Sequence, residues 1–211
     1  MHLPVHAPYT LADMADDAFG VLDALGIDRV QVCGASMGGM VAQHMAASRP
    51  ERVSRLTLMM TTSGARHLPQ PSMKVRVALL ERPAKGPFDL DAEVSRLMRL
   101  FTVIGSPAFR PDPQAFRARL AASVRRARRP DGLARQMVAI AADGDRTPLL
   151  SRISAPTHIV HGAADPLVPV AAAHDLHAKI AGSTIEIIDG MGHDLPAALW
   201  PRFAAAIAGS A

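Results

Sequence analysis

From Leu11 to Leu25 the apolar residues Leu11, Met14, Ala15, Ala18, Val21, Leu22 and Leu25 return every three or four positions, which predicts a helix with one buried face. Thr10 with Asp13 supplies its start signal and Gly26 its stop. Between Arg29 and Cys33 the period changes to two, with Val30 and Val32 alternating as in a short strand. Gly34-Ala35-Ser36-Met37-Gly38-Gly39 follows, and then a helix with Met40, Val41, His44 and Met45 on one side, ended by Arg49-Pro50. Val53 to Met60 is a nearly unbroken apolar run, as expected of a strand covered on both faces.

Regularity is lost from Thr61 to Gln70. Between Pro71 and Arg146 no segment reads as a strand, and Val94–Ile104, Phe116–Val124 and Leu133–Ala142 read as helices broken at Pro107, Pro111, Pro113 and Pro130. This predicts a helical cap over 64–146 inserted into a core made of 1–63 and 147–211. Alternation resumes with a strand at Thr157–His161, a helix at Val170–Ile180 closed by Gly182, and a strand at Thr184–Ile188. A helix over Leu195–Ala208, interrupted near Pro201, completes the chain. Strands alternating with helices imply right-handed crossovers and a mostly parallel sheet in a three-layer α/β fold. Ligands of such sheets sit beyond the carboxyl ends of the strands, so the residues just after each strand are the ones to weigh.

Composition narrows the classes. A length of 211 residues fits one domain with an insertion, and 49% hydrophobic residues exclude general disorder. With only 4% aromatic residues, a β-sandwich is disfavoured. The excess of 23 Lys plus Arg over 19 Asp plus Glu is too small to imply a nucleic-acid partner without a recognisable binding fold. The single cysteine, Cys33, excludes an intrachain disulfide and any cysteine-based metal site. Met1–Thr10 lacks the pattern of a signal peptide, and no apolar run approaches the ~18 residues of a spanning helix. A cytoplasmic protein without membrane contact or cofactor is expected.

Gly34-Ala35-Ser36-Met37-Gly38 fits G-x-S-x-G between a strand and a helix, the context in which that motif marks a nucleophile. Taken alone it also fits a glycine-rich packing turn or an anion-binding loop. Asp165 in His161-Gly162-Ala163-Ala164-Asp165-Pro166 follows the next-to-last strand, and His193 in Gly190-Met191-Gly192-His193-Asp194 follows the last. A serine hydroxyl needs an imidazole to take its proton, and a carboxylate holds that imidazole in the right tautomer. Three such residues on loops at one sheet edge predict Ser36, His193 and Asp165 as a catalytic set. The alternative position for the acid, after Val53–Met60, reads Thr61-Thr62-Ser63-Gly64 and contains no carboxylate.

On these three segments the chain resembles the α/β-hydrolase superfamily, and with its helical insertion it looks most like small serine esterases of the aclacinomycin methylesterase type. The resemblance implies acyl transfer from a small-molecule ester to Ser36. It also implies an oxyanion hole whose first donor is the Met37 backbone N–H. Full-length members carry further strands ahead of the helix that here begins at Leu11, and a loop among them supplies the second donor; Met1–Tyr9 contains nothing that resembles it. The chain thus reads as amino-terminally truncated: a fragment, a protein completed by another chain, or a natural short form. Losing one donor can cost ~100- to 1,000-fold in turnover, so an impaired domain serving as a binding or assembly module stands as an alternative. Perhydrolysis or carbon–carbon bond hydrolysis with the same triad is a further one. The apolar strand at Arg29–Cys33 would be an open edge suited to homo-oligomer formation.

Other residues read more plainly. His174 and His177 lie three apart on a helix without an evident third metal ligand, so no metal is expected. His44 and His158 read as packing residues with satisfied nitrogens, and Cys33 as a small buried hydrophobe. Arg125, Arg126, Arg128 and Arg129 read as a solvated face, with attraction of an anionic substrate as the alternative. Phe88, Phe101, Phe109 and Phe116 are candidates for lining an acyl pocket or for packing the insertion.

Overall fold

A computed structural model describes residues 6–82, 86–127, 129 and 131–209. Among the described residues four strands, β1 (Val30–Ala35), β2 (Val53–Met59), β3 (Thr157–Gly162) and β4 (Thr184–Ile188), form one sheet in that spatial order, and every neighbouring pair is parallel. Helices α1 (Leu11–Ala24), α2 (Met37–Ser48) and α8 (Ala171–Lys179) belong to this core, as does α9 (Trp200–Ala208). Between β2 and β3 run α3 (Met73–Leu79), α4 (Leu90–Ile104), α5 (Pro113–Arg126), α6 (Gly132–Asp143) and the short α7 (Thr147–Leu150).

The core divides at the sheet because successive strand side chains point to opposite faces. On one face Leu56, Leu58 and Ile159 pack with Ala42 and Ala46 of α2 and with Ala173 and Leu176 of α8. On the other, Met59, Val160 and Ile188 pack with Phe203 and Ala206 of α9. Three layers result. Helix α1 lies against α2 through Ala15, Phe19 and Met45. Its start is the capping box read from Thr10 and Asp13: the Thr10 hydroxyl accepts from the Asp13 amide and Asp13 accepts from the Thr10 amide at 2.7 Å.

Several expectations change. Helices α3 and α7 have no counterpart in the periodicity, being only 7 and 4 residues long. Pro201 does not interrupt the last helix; it sits in the first turn of α9, where its missing N–H costs nothing, after a separate 3₁₀ turn at Ala197–Leu199. Cys33 is exposed rather than buried. Gln31 and Cys33 lie on the face opposite Val32 and are both open, whereas Val32 packs against α1 and α2 and Ala35, at the end of β1, packs against the cluster of α9. Arg128 and Pro130 lie outside the described residues, as do Met1–Val5, over half of the segment read as lacking the second oxyanion donor.

Arg146, which the sequence reading did not single out, ties the returning chain to the core. It is 2% exposed, and its guanidinium donates to Asp143 at 2.5 Å and to the Thr62 carbonyl at 3.0 Å. Asp143 also meets His44 of α2 at 2.8 Å. Burial alone would raise the Asp143 carboxyl, but the hydrogen bonds from His44 and Arg146 outweigh it and hold the group below its ordinary value.

Candidate active site

Ser36 stands between β1 and α2 with φ 53° and ψ −121°, a conformation rarely adopted by a residue with a side chain. The surroundings impose it. The Ser36 amide donates to the Met59 carbonyl at 2.9 Å, and the Thr61 hydroxyl donates to the Ser36 carbonyl at 2.7 Å. A Cβ on Gly34 would lie 2.3 Å from the Gly38 carbonyl oxygen, and one on Gly39 would lie 2.7 Å from Thr61. Glycine is therefore required at 34 and 39. A Cβ on Gly38 meets no described atom within 4 Å, so the second glycine of the pentapeptide is not the one sterics demand.

Asp165 and His193 follow β3 and β4. The two loops are pressed together: a Cβ on Gly162 would fall 2.2 Å from the Met191 carbonyl oxygen, and the Ala164 amide donates to that same oxygen at 3.0 Å. Asp165 is 5% and His193 8% exposed. One carboxylate oxygen of Asp165 accepts the amides of Leu167 and Val168 at 2.9 and 2.8 Å, which leaves the other for His193 Nδ1 at 2.7 Å. His193 Nε2 then lies 2.9 Å from Ser36 Oγ. The structure thus brings together all three side chains singled out in the sequence. Because an ionised carboxylate only accepts, the proton of the neutral imidazole is on Nδ1 and the Nε2 lone pair faces the hydroxyl.

His161 is fully buried beneath Asp165, with Nε2 2.8 Å from the Val168 carbonyl and 3.6 Å from the carboxylate. Burial lowers its pKa. As the Val168 oxygen can only accept, the proton of the neutral ring sits on Nε2, and Nδ1 has no hydrogen-bond partner among the described residues.

A cavity of about 620 Å³ opens beside Ser36. Its wall includes Met37 and Met40 of α2, Leu68, and Leu133, Met137 and Ile140 of α6. None of the four phenylalanines considered from the sequence lines it. Phe101 and Phe116 meet edge to face at 5.3 Å between α4 and α5, Phe109 packs under the sheet, and Phe88 is exposed. The signal that could have found the wall is the apolar face of α6, whose exposed Leu133 looked like ordinary patterning.

Two of the histidines weighed in the sequence take local partners. His158 meets Thr184 Oγ1 at 2.7 Å and Glu186 at 3.3 Å, and His177 meets Ser183 at 3.0 Å. No group of three His, Cys, Asp or Glu arranged to hold a metal occurs among the described residues, and no described helix is long and apolar enough to cross a membrane.

Rhodomycin D methylesterase of Streptomyces peucetius is 29% identical over 223 aligned positions, which take in 95% of this chain and 72% of that protein. A 2-hydroxy-6-oxononadienedioate/2-hydroxy-6-oxononatrienedioate hydrolase of Klebsiella pneumoniae is 33% identical over 174 positions, covering 82% of this chain but 59% of its own length. Among solved structures, a hydrolase from Pseudomonas aeruginosa superposes with a TM-score of 0.69 at 26% identity, over 100% of this chain and 74% of that one. The profile of the alpha/beta hydrolase fold matches residues 4–196, and the chain belongs to that family.

Proposed function

We propose that this protein hydrolyses carboxylic esters of small molecules through an acyl-enzyme on Ser36. The observation that carries the reading is the hydrogen-bonded line from Ser36 Oγ through His193 to Asp165, at 2.9 and 2.7 Å. Ser36 Oγ attacks the ester carbonyl carbon while His193 Nε2 takes the hydroxyl proton. Asp165 keeps the ring oriented and offsets the charge it acquires. The tetrahedral oxyanion forms near the start of α2, where the Met37 N–H has no partner within the helix and is free to donate. Collapse expels the alcohol, which carries away the proton from His193. Water then gives a proton to His193 and attacks the acyl carbon, and the carboxylic acid leaves as Ser36 recovers its own proton. In this reading residues 64–146 act as a cap, and the apolar cavity beneath α6 receives an apolar part of the substrate.

A second reading keeps the triad and cleaves a carbon–carbon bond next to a carbonyl. It draws on the 33% identity to the Klebsiella hydrolase. Two substrates separate the readings: p-nitrophenyl butyrate, and a 2-hydroxy-6-oxo-dienoate followed by loss of its own absorbance. Ester turnover that falls at least ~1,000-fold in Ser36→Ala, with titration of Ser36 by a fluorophosphonate in the wild type, is the expected result. Ester turnover untouched by that substitution would overturn the proposal.

A further inference from the structure

Resting on the assignment of His193 as the base, we infer that Ser106 and Asp194 are positioning residues, through which the segment 104–108, at the end of α4, fixes the loop that carries His193. Two of the contacts are backbone to backbone, and Ile104, Ser106, Gly192 and His193 are all buried. The His193 amide donates to the Ile104 carbonyl at 2.7 Å, and the Ala108 amide donates to the Gly190 carbonyl at 3.2 Å. Between them sits Ser106, 4% exposed, whose hydroxyl oxygen accepts the Gly192 amide at 2.9 Å. The same hydroxyl donates its proton to Asp194 Oδ1, which also accepts the Ser106 amide at 3.0 Å. A Cβ on Gly192 would lie 2.5 Å from the Gly105 carbonyl carbon, so nothing larger than glycine separates the two strands of chain.

Ser106 and Asp194 flank the imidazole-bearing residue on both sides in this network, yet neither touches Ser36. A hydroxyl that accepts from the residue before His193 and donates to the residue after it restricts rotation of the loop about His193. Small errors in such alignment are costly to catalysis, because the reacting groups must meet in one geometry. The segment counted as cap in the sequence therefore also belongs to the support of the base.

The test uses the full chain and four variants. Ser106→Ala removes both side-chain bonds, and Asp194→Ala removes the acceptor at a half-exposed position that tolerates truncation. Asp194→Asn retains an oxygen at Oδ1. Ser106→Ala and Asp194→Ala are expected to lower kcat on p-nitrophenyl butyrate by roughly 10- to 100-fold, with KM within about twofold. Asp194→Asn should restore kcat to within a few fold of wild type, and the double alanine variant should be no worse than the poorer single one. Independently of turnover, solvent exchange of the His193 Nδ1 proton, followed by NMR, should accelerate by a similar factor in both alanine variants. Unchanged exchange and kcat in both, or a loss in Asp194→Asn as large as in Asp194→Ala, would overturn the inference. If the wild type shows no Ser36-dependent ester turnover, the ester reading fails while the exchange measurement still decides the role of Ser106 and Asp194.

Discussion

The loops that carry Ser36, Asp165 and His193 and the helices between β2 and β3 are built by different rules. Around the three loops the main chain is closely packed: Cβ atoms at Gly34, Gly162 and Gly192 would each lie within 2.5 Å of a main-chain atom. Among the inserted helices α4 buries Val94, Arg96 and Ile104, but α3 and α5 each bury one residue, Val75 and Leu120, and α6 only Ala139. Exposed ion pairs such as Arg99–Glu81 and Arg117–Asp91 run between them. A close-packed backbone admits few alternatives, whereas exposed pairs contribute little and can be exchanged. On the proposed reading, the difference gives geometry of the reaction to the loops and choice of substrate to the insertion, whose α6 lines much of the cavity.

The sharpest way to break this contrast is a pair of glycine substitutions four residues apart. Gly34→Ala drives a methyl into the Gly38 carbonyl, and overpacking of rigid backbone is expected to cost about 3 kcal/mol or more. Gly38→Ala enters open space within α2, where alanine is the better helix former, so stability should stay within about 1 kcal/mol of wild type. Urea unfolding of both reads the result directly. Equal destabilisation would mean that the turn at Ser36 is not held by the close approach at Gly34.

Much of this is legible in the sequence. β1 was marked by alternation and β2 by an apolar run, and Ser36, Asp165 and His193 by their position after strands, because a parallel sheet leaves its strand ends on one edge. Helix α3 was not legible, since its seven residues bury Val75 alone and leave no period to detect. Arg146 resembled any other arginine: its burial depends on Asp143, Gln43 and Thr62, and two of those are far away in sequence. Ser106 and Asp194 were hidden for the same reason, being 88 residues apart. The aromatic residues left two readings open, because ring packing within an insertion and ring lining of a pocket leave the same sequence signature; Phe101 and Phe116 pack on each other.

A smaller effect should come from His161, which sits under the carboxylate in the tightly built region. Burial holds its folded pKa below the ordinary 6.5, while Asp165 nearby favours the charged ring and His193 and His174 oppose it. The unfolded chain therefore binds the proton first as pH falls. The stability linked to His161 is complete above pH 6.5 and is lost as pH drops through the interval down to the folded value, by at most about 1.4 kcal/mol per pH unit. Against His161→Gln, which keeps a donor for the Val168 carbonyl, the wild type should lose more stability between pH 7 and 5 in urea titrations. Parallel profiles would show that the buried ring takes up its proton without penalty.

The least effect is expected in the insertion, and it tests the other half of the contrast. Arg117 reaches Asp91 at 3.0 Å and Ser95 at 3.2 Å, joining α5 to α4, but the two charged side chains are 44% and 84% exposed. Water already solvates both, so Arg117→Ala should change the unfolding free energy by no more than about 0.5 kcal/mol. Half-molar salt, which shortens the reach of surface charges, should shrink even that difference. A loss of 2 kcal/mol instead would mean that the helices between β2 and β3 depend on particular pairs as closely as the loops depend on their glycines, and the division between rigid chemistry and exchangeable wall would not hold.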